Sequence, residues 1–219
     1  MMEVWNWEFA FDILPALLQG LLVTFQATVL GSLLAFSLGL VLALLMRSSF
    51  RPLRVIVRGF VEFVRSTPLL VQVFFLFFVL PDFGIVLNAL TVGVLALGVH
   101  YATYTSEVYR AGIDAVPKGQ WEAATALSLP RARVWTGVVL PQAIPRVVPA
   151  LGNYVISMFK ETPLLIGIGV LDLVGQAGEI GGREFRYVEA YTIAGLFFLL
   201  LSYPSALLIR RLERRVGTI

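Results

Sequence analysis

Apolar residues along this chain come in long blocks, with no stripe separating an inner from an outer face. Five blocks stand out, at about 13–46, 55–80, 87–108, 144–171 and 190–209. Each reaches the ~20 residues that a helix needs to cross the hydrocarbon of a bilayer. The pattern predicts an all-α fold, a polytopic membrane bundle of five transmembrane helices. Residues 1–12 are expected as an external segment, 13–210 as the membrane domain and 211–219 as a cytoplasmic tail. The first block is longer than the minimum. It has room to tilt, or to begin as an interfacial stretch near Trp5 and Trp7.

Charge decides the orientation. Arg47, Arg51, Arg54 and Arg58 surround the first connection, and Arg110, Lys118, Arg131, Arg133 and Arg146 lie in the third. Arg210, Arg211, Arg214 and Arg215 follow the last block. The opposite side holds only Arg183 and Arg186. The positive-inside rule puts the three basic regions in the cytoplasm, with the N-terminus outside and the C-terminus inside. Glu3, Glu8 and Asp12 precede the first block without any basic residue, so a cleaved secretory signal is not expected. The segment 172–189 is expected as an external loop, with a short surface helix as one option, either simply solvated or a docking surface for an external partner.

Composition agrees with a membrane protein. The chain is 58% hydrophobic and 14% charged, against roughly 25% charged in an average soluble domain. It has no cysteine and one histidine, His100, so thiolate sites are excluded and a metal centre is not expected. No basic run points to nucleic acid.

Two charged hexapeptides interrupt the apolar blocks. One is Arg65-Ser66-Thr67-Pro68-Leu69-Leu70, the other Lys160-Glu161-Thr162-Pro163-Leu164-Leu165. A charge at that depth costs roughly 2.5–3.5 kcal/mol on insertion scales, so each is a functional candidate. Each proline removes a backbone bond and frees a carbonyl one turn earlier. Arg65 lies roughly 15 Å into the second block at 1.5 Å per residue, and Lys160 at a similar depth in the fourth. Both blocks run from inside to outside, so this is a parallel repeat. Such paired breaks point to a binding site in transporters. Arg65, Thr67, Pro68, Lys160, Glu161, Thr162 and Pro163 are therefore the candidate solute path. A solute carboxylate would meet Arg65 or Lys160, and an ammonium Glu161 or Glu62. The competing readings are that the prolines only kink helices, that Arg65 only pairs with Glu62, and that Lys160 only holds a partner subunit. His100, Tyr104 and Glu107 share helical spacing in the third block, as a pathway wall or as packing, with Glu107 paired to Arg110.

Between Gly112 and Pro145 lies the longest non-apolar stretch. Pro117 and Pro130 suit helix starts, and the run between them reads as a short helix on which Trp121 and Ala124 share one face, Ala123 and Leu127 another. It fits a docking element for a soluble partner, or a helix lying on lipid headgroups.

The run Val116-Pro117-Lys118-Gly119-Gln120-Trp121-Glu122-Ala123-Ala124, with eighteen residues between Glu122 and the Pro141 of Leu140-Pro141, resembles the EAA loop of ABC importer permeases. Pro149-Ala150-Leu151-Gly152-Asn153, Glu107-Val108-Tyr109-Arg110-Ala111-Gly112 and both hexapeptides are similar to the polar amino-acid uptake branch of that family. His100-Tyr101-Ala102-Thr103-Tyr104 resembles the subgroup that imports ectoine and hydroxyectoine. The likeness covers about residues 18–208. It implies a type I permease subunit of the bacterial cytoplasmic (inner) membrane, without enzymatic activity. It implies an EAA coupling loop at about 112–143, with Gly119, Glu122, Ala123, Ala124 and Ser128 docking a cytoplasmic ABC ATPase dimer. Glu122 would pair with a basic group there, while Ala123 and Ala124 seat in a groove. A second permease subunit, identical or homologous, and an external solute-binding protein complete the assembly in membrane lipid. Ser128 stands where the family usually has glycine, which reaches a left-handed turn more easily.

Neither lysine, Lys118 or Lys160, ends a Gly-x-x-x-x-Gly-Lys run, so this sequence carries no phosphate-binding loop and no cofactor is expected on it. ATP would be bound by the partner ATPase. An ion-coupled carrier or channel, or a non-transporting membrane scaffold, are the readings from other classes.

Overall fold

The computed structural model describes residues 5–216, and among them every regular element is helical. Met1–Val4 and 217–219, the ends of the expected external segment and tail, lie outside the described residues. In chain order the helices are α1 (Trp7–Asp12), α2 (Leu14–Met46), α3 (Arg51–Arg65), α4 (Leu69–Phe74), α5 (Ala89–Asp114), α6 (Lys118–Ala126), α7 (Arg131–Val134), α8 (Leu140–Glu161), α9 (Leu173–Glu184) and α10 (Tyr187–Val216). A π-helical turn joins α7 to α8 at Trp135–Val139, and a 3-10 turn at Thr162–Ile168 continues α8. Three described stretches are long and apolar enough to cross a membrane: Leu14–Met46, Arg131–Ile168 and Tyr187–Arg215. The expected second block is not one straight span. Arg51–Arg65 and Leu69–Phe83 meet at 102°. Helix α5 falls outside the apolar set because its second half carries His100, Tyr101, Thr103, Tyr104, Thr105 and Ser106.

The bundle is organised by α2 against α5. Ala27, Gly31, Ala35, Gly39 and Ala43 recur every fourth residue on α2, and all are buried. Residues four apart lie on one helix face, so α2 offers a smooth seam on which another backbone can rest. Between membrane helices such small residues replace the hydrophobic effect with close van der Waals packing. Helix α5 meets the seam with Leu97, Gly98, Ala102 and Thr105, all buried. Thr105 Oγ1 donates across the gap to the Ala35 carbonyl at 2.9 Å. A Cβ on Gly39 would lie 2.0 Å from Thr105 Oγ1 and 2.9 Å from the Ala102 carbonyl oxygen.

Other elements attach to this pair. Val57 and Val61 of α3 pack on Leu42, Met46 and Ala102. Leu69 and Val73 of α4 join Val92, Ala96 and Leu97 of α5 and Leu165 and Ile168 beyond α8. The segment 172–189 is not a solvated connection. It forms α9, whose Leu173, Ala177 and Ile180 enter a core with Leu17 of α2 and Ala190 and Ala194 of α10. Asp172 caps α9 through the Gly175 N–H at 2.9 Å. Glu189 is buried too, accepting from the Asn6 N–H at 3.0 Å and from Arg186 at 2.6 Å.

Gly39→Ala and Gly59→Ala should shift stability in opposite directions. Gly59 has nothing within 4 Å of an added Cβ, so alanine there should stabilise by up to about 1 kcal/mol. At Gly39 it should cost about 1–3 kcal/mol by overpacking. Thermal unfolding in mild detergent checks this; an unchanged midpoint for Gly39→Ala would contradict the close contact.

Candidate functional site

Pro68 breaks the second block. It lacks an N–H and its ring cannot follow a helical turn, so α3 stops at Arg65 and α4 starts after Pro68, which is extended (φ −61°, ψ 138°). The break orphans carbonyls at the end of α3. Gln72, one turn into α4, answers them. Its Nε2 lies 2.8 Å from the Val64 oxygen, 3.1 Å from the Thr67 oxygen and 2.7 Å from Thr67 Oγ1. Thr67 Oγ1 itself donates to the Val64 carbonyl at 3.0 Å. Gln72 Oε1 faces His100 Nδ1 at 3.2 Å, tying the corner to α5. Gln72 was visible in the motif after Pro68, but no sequence signal gave it a role until the corner placed its amide under the broken end.

At this corner the two hexapeptides meet. Arg65, Thr67 and Pro68 from one side, Glu161 from the other and His100 and Tyr104 from α5 line an open cavity of about 500 Å³. The Arg65 guanidinium lies over the Tyr104 ring at 5.1 Å and 3.8 Å from Glu62. Tyr101, Tyr104 and Tyr154 form a ring cluster with centroids 5.7–6.0 Å apart. Tyr154, from α8, was missed in the sequence because it belongs to no break. Glu161 Oε2 is buried without a hydrogen-bond partner. The cavity therefore presents a cation and a carboxylate from different helices, with aromatic rings between them.

The second hexapeptide does not act as a unit. Lys160 and Pro163 line a different cavity of about 580 Å³ beside Phe198, Leu199 and Ser202 of α10. Thr162 reaches neither cavity. It is fully buried and donates to Asp172 Oδ2 at 2.9 Å and to the Phe159 carbonyl at 3.2 Å. Thr24 Oγ1 also lies 3.4 Å from Asp172 Oδ2 and accepts from the Leu173 N–H at 3.1 Å. Thr162 thus anchors the chain where α8 gives way to α9. Glu107 pairs with Arg110 and lines a third cavity, of about 320 Å³, with Arg58 and Glu62.

The other end of the molecule carries α6. Trp121 meets Trp135 edge-on at 5.6 Å, over a core of Ile113, Val116, Val139 and Ala143. Gly119, Glu122, Ala123 and Leu127 face outward, and Leu127 is 72% exposed. Ala124 departs from the expectation: it is 3% exposed, turned into its own chain by the same register that lays the half-buried Trp121 on that core. Helix α6 ends in a Schellman motif. The Leu129 N–H donates to Ala124 at 3.1 Å and the Ser128 N–H to Thr125 at 2.9 Å. That motif needs a left-handed residue, and Ser128 supplies it at φ 54°.

Residues 35–218 match the family described as the binding-protein-dependent transport system inner membrane component. The chain belongs to this family. The permease is 46% identical over 202 residues to the probable amino-acid ABC transporter permease protein y4tG of Sinorhizobium fredii, spanning 92% of this chain and 87% of the relative. It is 34% identical to the arginine transport system permease protein ArtQ of Bacillus subtilis, over 96% of this chain and 98% of that one. A crystal structure of an amino acid ABC transporter with histidines superposes on the permease with a TM-score of 0.89 at 36% identity, covering 96% of this chain and 99% of that one. The inward-facing methionine transporter MetNI, at 20% identity and a TM-score of 0.77 over 94% of this chain and 98% of its own, shares the fold. The permease is an inner-membrane transport subunit and not an enzyme.

Two substitutions test this geometry. Gln72→Leu removes the side-chain amide shared by Val64 and Thr67, while Thr67 still donates to the Val64 carbonyl, and should lower stability by about 0.5–1.5 kcal/mol, read from the unfolding midpoint in detergent. Ser128→Gly relieves a left-handed side chain that costs roughly 1–2 kcal/mol. It should raise the midpoint, and a fall would mean that the serine hydroxyl holds the turn.

Proposed function

We propose that this permease moves a polar amino acid, or a related zwitterion such as ectoine, into the cell with energy from ATP bound on a separate ATPase. The cavity at the α3–α4 corner carries this reading. Arg65, at the broken α3–α4 corner, and Glu161, at the end of α8, face one space, and the carboxylate and ammonium of an amino-acid backbone need one partner of each sign. His100 and the tyrosines shape the wall. The relatives named for amino-acid and arginine transport support the solute class.

The same reading assigns the remaining surfaces. Five crossings place the N-terminus outside and the C-terminus inside, with the 102° corner inside the membrane domain. The outward face of α6, with Gly119, Glu122, Ala123 and Leu127, docks a cytoplasmic ATPase dimer, and Ala124 and Ser128 hold that helix in shape. Lys160 faces a cavity whose lining has no carboxylate. A cation at such depth requires a counter-charge, which a second permease subunit, identical or homologous, would bring. An external solute-binding protein delivers cargo to the opposite end.

Uptake into proteoliposomes with the ATPase and the binding protein tests the proposal. Transport should require both proteins and ATP. Glu122→Lys, at an exposed position, should insert normally and lower uptake by about tenfold or more through charge reversal at an interface. Equal uptake without the ATPase, or wild-type uptake by Glu122→Lys, would overturn the corresponding assignment.

A further inference from the structure

A cleft opens between α6 and α7, away from the α3–α4 corner. Its volume is about 430 Å³, with Trp121, Thr125, Ser128 and Leu129 on one side and Arg131 and Trp135 on the other. Arg131 is exposed and brings a positive charge to the lining, and no carboxylate among the described residues joins it there. The two indoles are half-buried and meet edge-on at 5.6 Å. Ser128 is left-handed, at φ 54°. Strain of that kind in a non-glycine residue gathers at ligand clamps, and here it brings a hydroxyl to the cleft wall.

The height of the cleft decides what can enter it. Trp121 and Trp135 pack on Ile113 and Val116 at the end of α5. With the hydrocarbon beginning at Ala89, the first residue of α5, Ile113 lies about 36 Å along the helix at 1.5 Å per residue. That is past the ~30 Å of hydrocarbon and within the ~40–45 Å that includes the headgroups. The indole pair therefore lies in a headgroup layer, where tryptophan keeps its apolar body against lipid and its N–H in a polar setting. A basic pocket between helices at that height suits an anionic headgroup.

We infer that this cleft binds the headgroup of an anionic phospholipid from the leaflet at the α6 end. Arg131 meets the phosphate, the Ser128 hydroxyl donates to a phosphate oxygen, and the indoles cover the glycerol backbone. A lipid held there bridges α6 and α7 and fixes α6 relative to the membrane surface. Gly119, Glu122 and Ala123 lie on the opposite side of α6 from Trp121, Thr125 and Ser128 at 3.6 residues per turn. A soluble partner and a lipid therefore take different faces of one helix. The site is independent of any solute at the α3–α4 corner.

The chain has four tryptophans, and two of them line the cleft, so indole emission reports its occupancy. The full-length permease in neutral maltoside micelles is titrated with dioctanoyl phosphatidylglycerol. Emission should change saturably, and should change little with dioctanoyl phosphatidylcholine or inorganic phosphate at the same concentration. Arg131→Gln should raise the apparent Kd about fivefold or more, the share of one arginine at a charged lipid surface. Ser128→Gly should raise it severalfold by removing the hydroxyl. Arg51→Gln, at an exposed basic position outside the cleft, should bind as the wild type does. An equal response to phosphatidylcholine or to inorganic phosphate overturns the site. So does wild-type affinity in Arg131→Gln or Ser128→Gly, or equal weakening by Arg51→Gln. Native mass spectrometry of the permease purified with its ATPase then counts retained phosphatidylglycerol. Retention that falls in Arg131→Gln is expected; no retained lipid would give the cleft to the ATPase and overturn the inference.

Discussion

The close contact of α2 with α5 is the constraint on which the other features rest. Lipid removes the hydrophobic driving force between helices, and only short-range packing and hydrogen bonds remain. The seam of Ala27, Gly31, Ala35, Gly39 and Ala43 brings the backbones near enough for Thr105 to reach the Ala35 carbonyl. That contact fixes α5 in rotation. One face of α5 is given to α2, and His100, Tyr104 and Glu107 are thereby turned toward α3 and α4, where they line cavities. A looser seam would leave the aromatic and charged positions of α5 without a defined direction.

A broken helix inside a membrane domain is costly unless its freed backbone groups are answered. Here a single side chain does most of that work, since Gln72 addresses both Val64 and Thr67 and reaches His100. The corner is therefore ordered, and Arg65 leaves it in one direction, over Tyr104. The second break is answered differently. A 3-10 turn carries the chain through Thr162–Ile168, and the buried carboxylate of Asp172 collects Thr162, Thr24 and the start of α9. Two similar hexapeptides thus end in different structures, because one is followed by a helix that folds back on its own break and the other by a helix that leaves it.

The inner end is attached to the same framework. Ile113 and Val116 at the end of α5, Val139 and Ala143 at the start of α8 and Trp121 of α6 share one core. Helix α6 is therefore fastened to the two helices whose farther parts supply His100, Tyr104 and Glu161 to the cavity. Trp121 and Ala124 pack inward, which leaves Glu122 and Leu127 outward, and the left-handed Ser128 closes the helix.

The all-helical fold was legible in the sequence, because long apolar runs in lipid must satisfy their backbone internally; the 102° turn within the second block and the packing of α9 were not. The break at Pro68 was legible too, although Pro145, Pro149 and Pro204 sit inside helices, and Ser128 gave no sign of its left-handed turn, a region that serine enters less easily than glycine. Other properties depended on partners far away in the chain. The four-residue stripe on α2 is written in the sequence, yet nothing there says that α5 fills it. Lys160 and Glu161 are neighbours, but packing sends them to opposite cavities. Thr162 matches Thr67 in its motif and is buried by Asp172 instead. Residues 172–189 look solvated by composition, while Leu173, Ala177 and Ile180 sit on one face that only the folded bundle could reveal as an inner one. Local chemistry determines where a chain is helical and where it must break; which face points inward is set by distant surfaces that exist only once the helices have met.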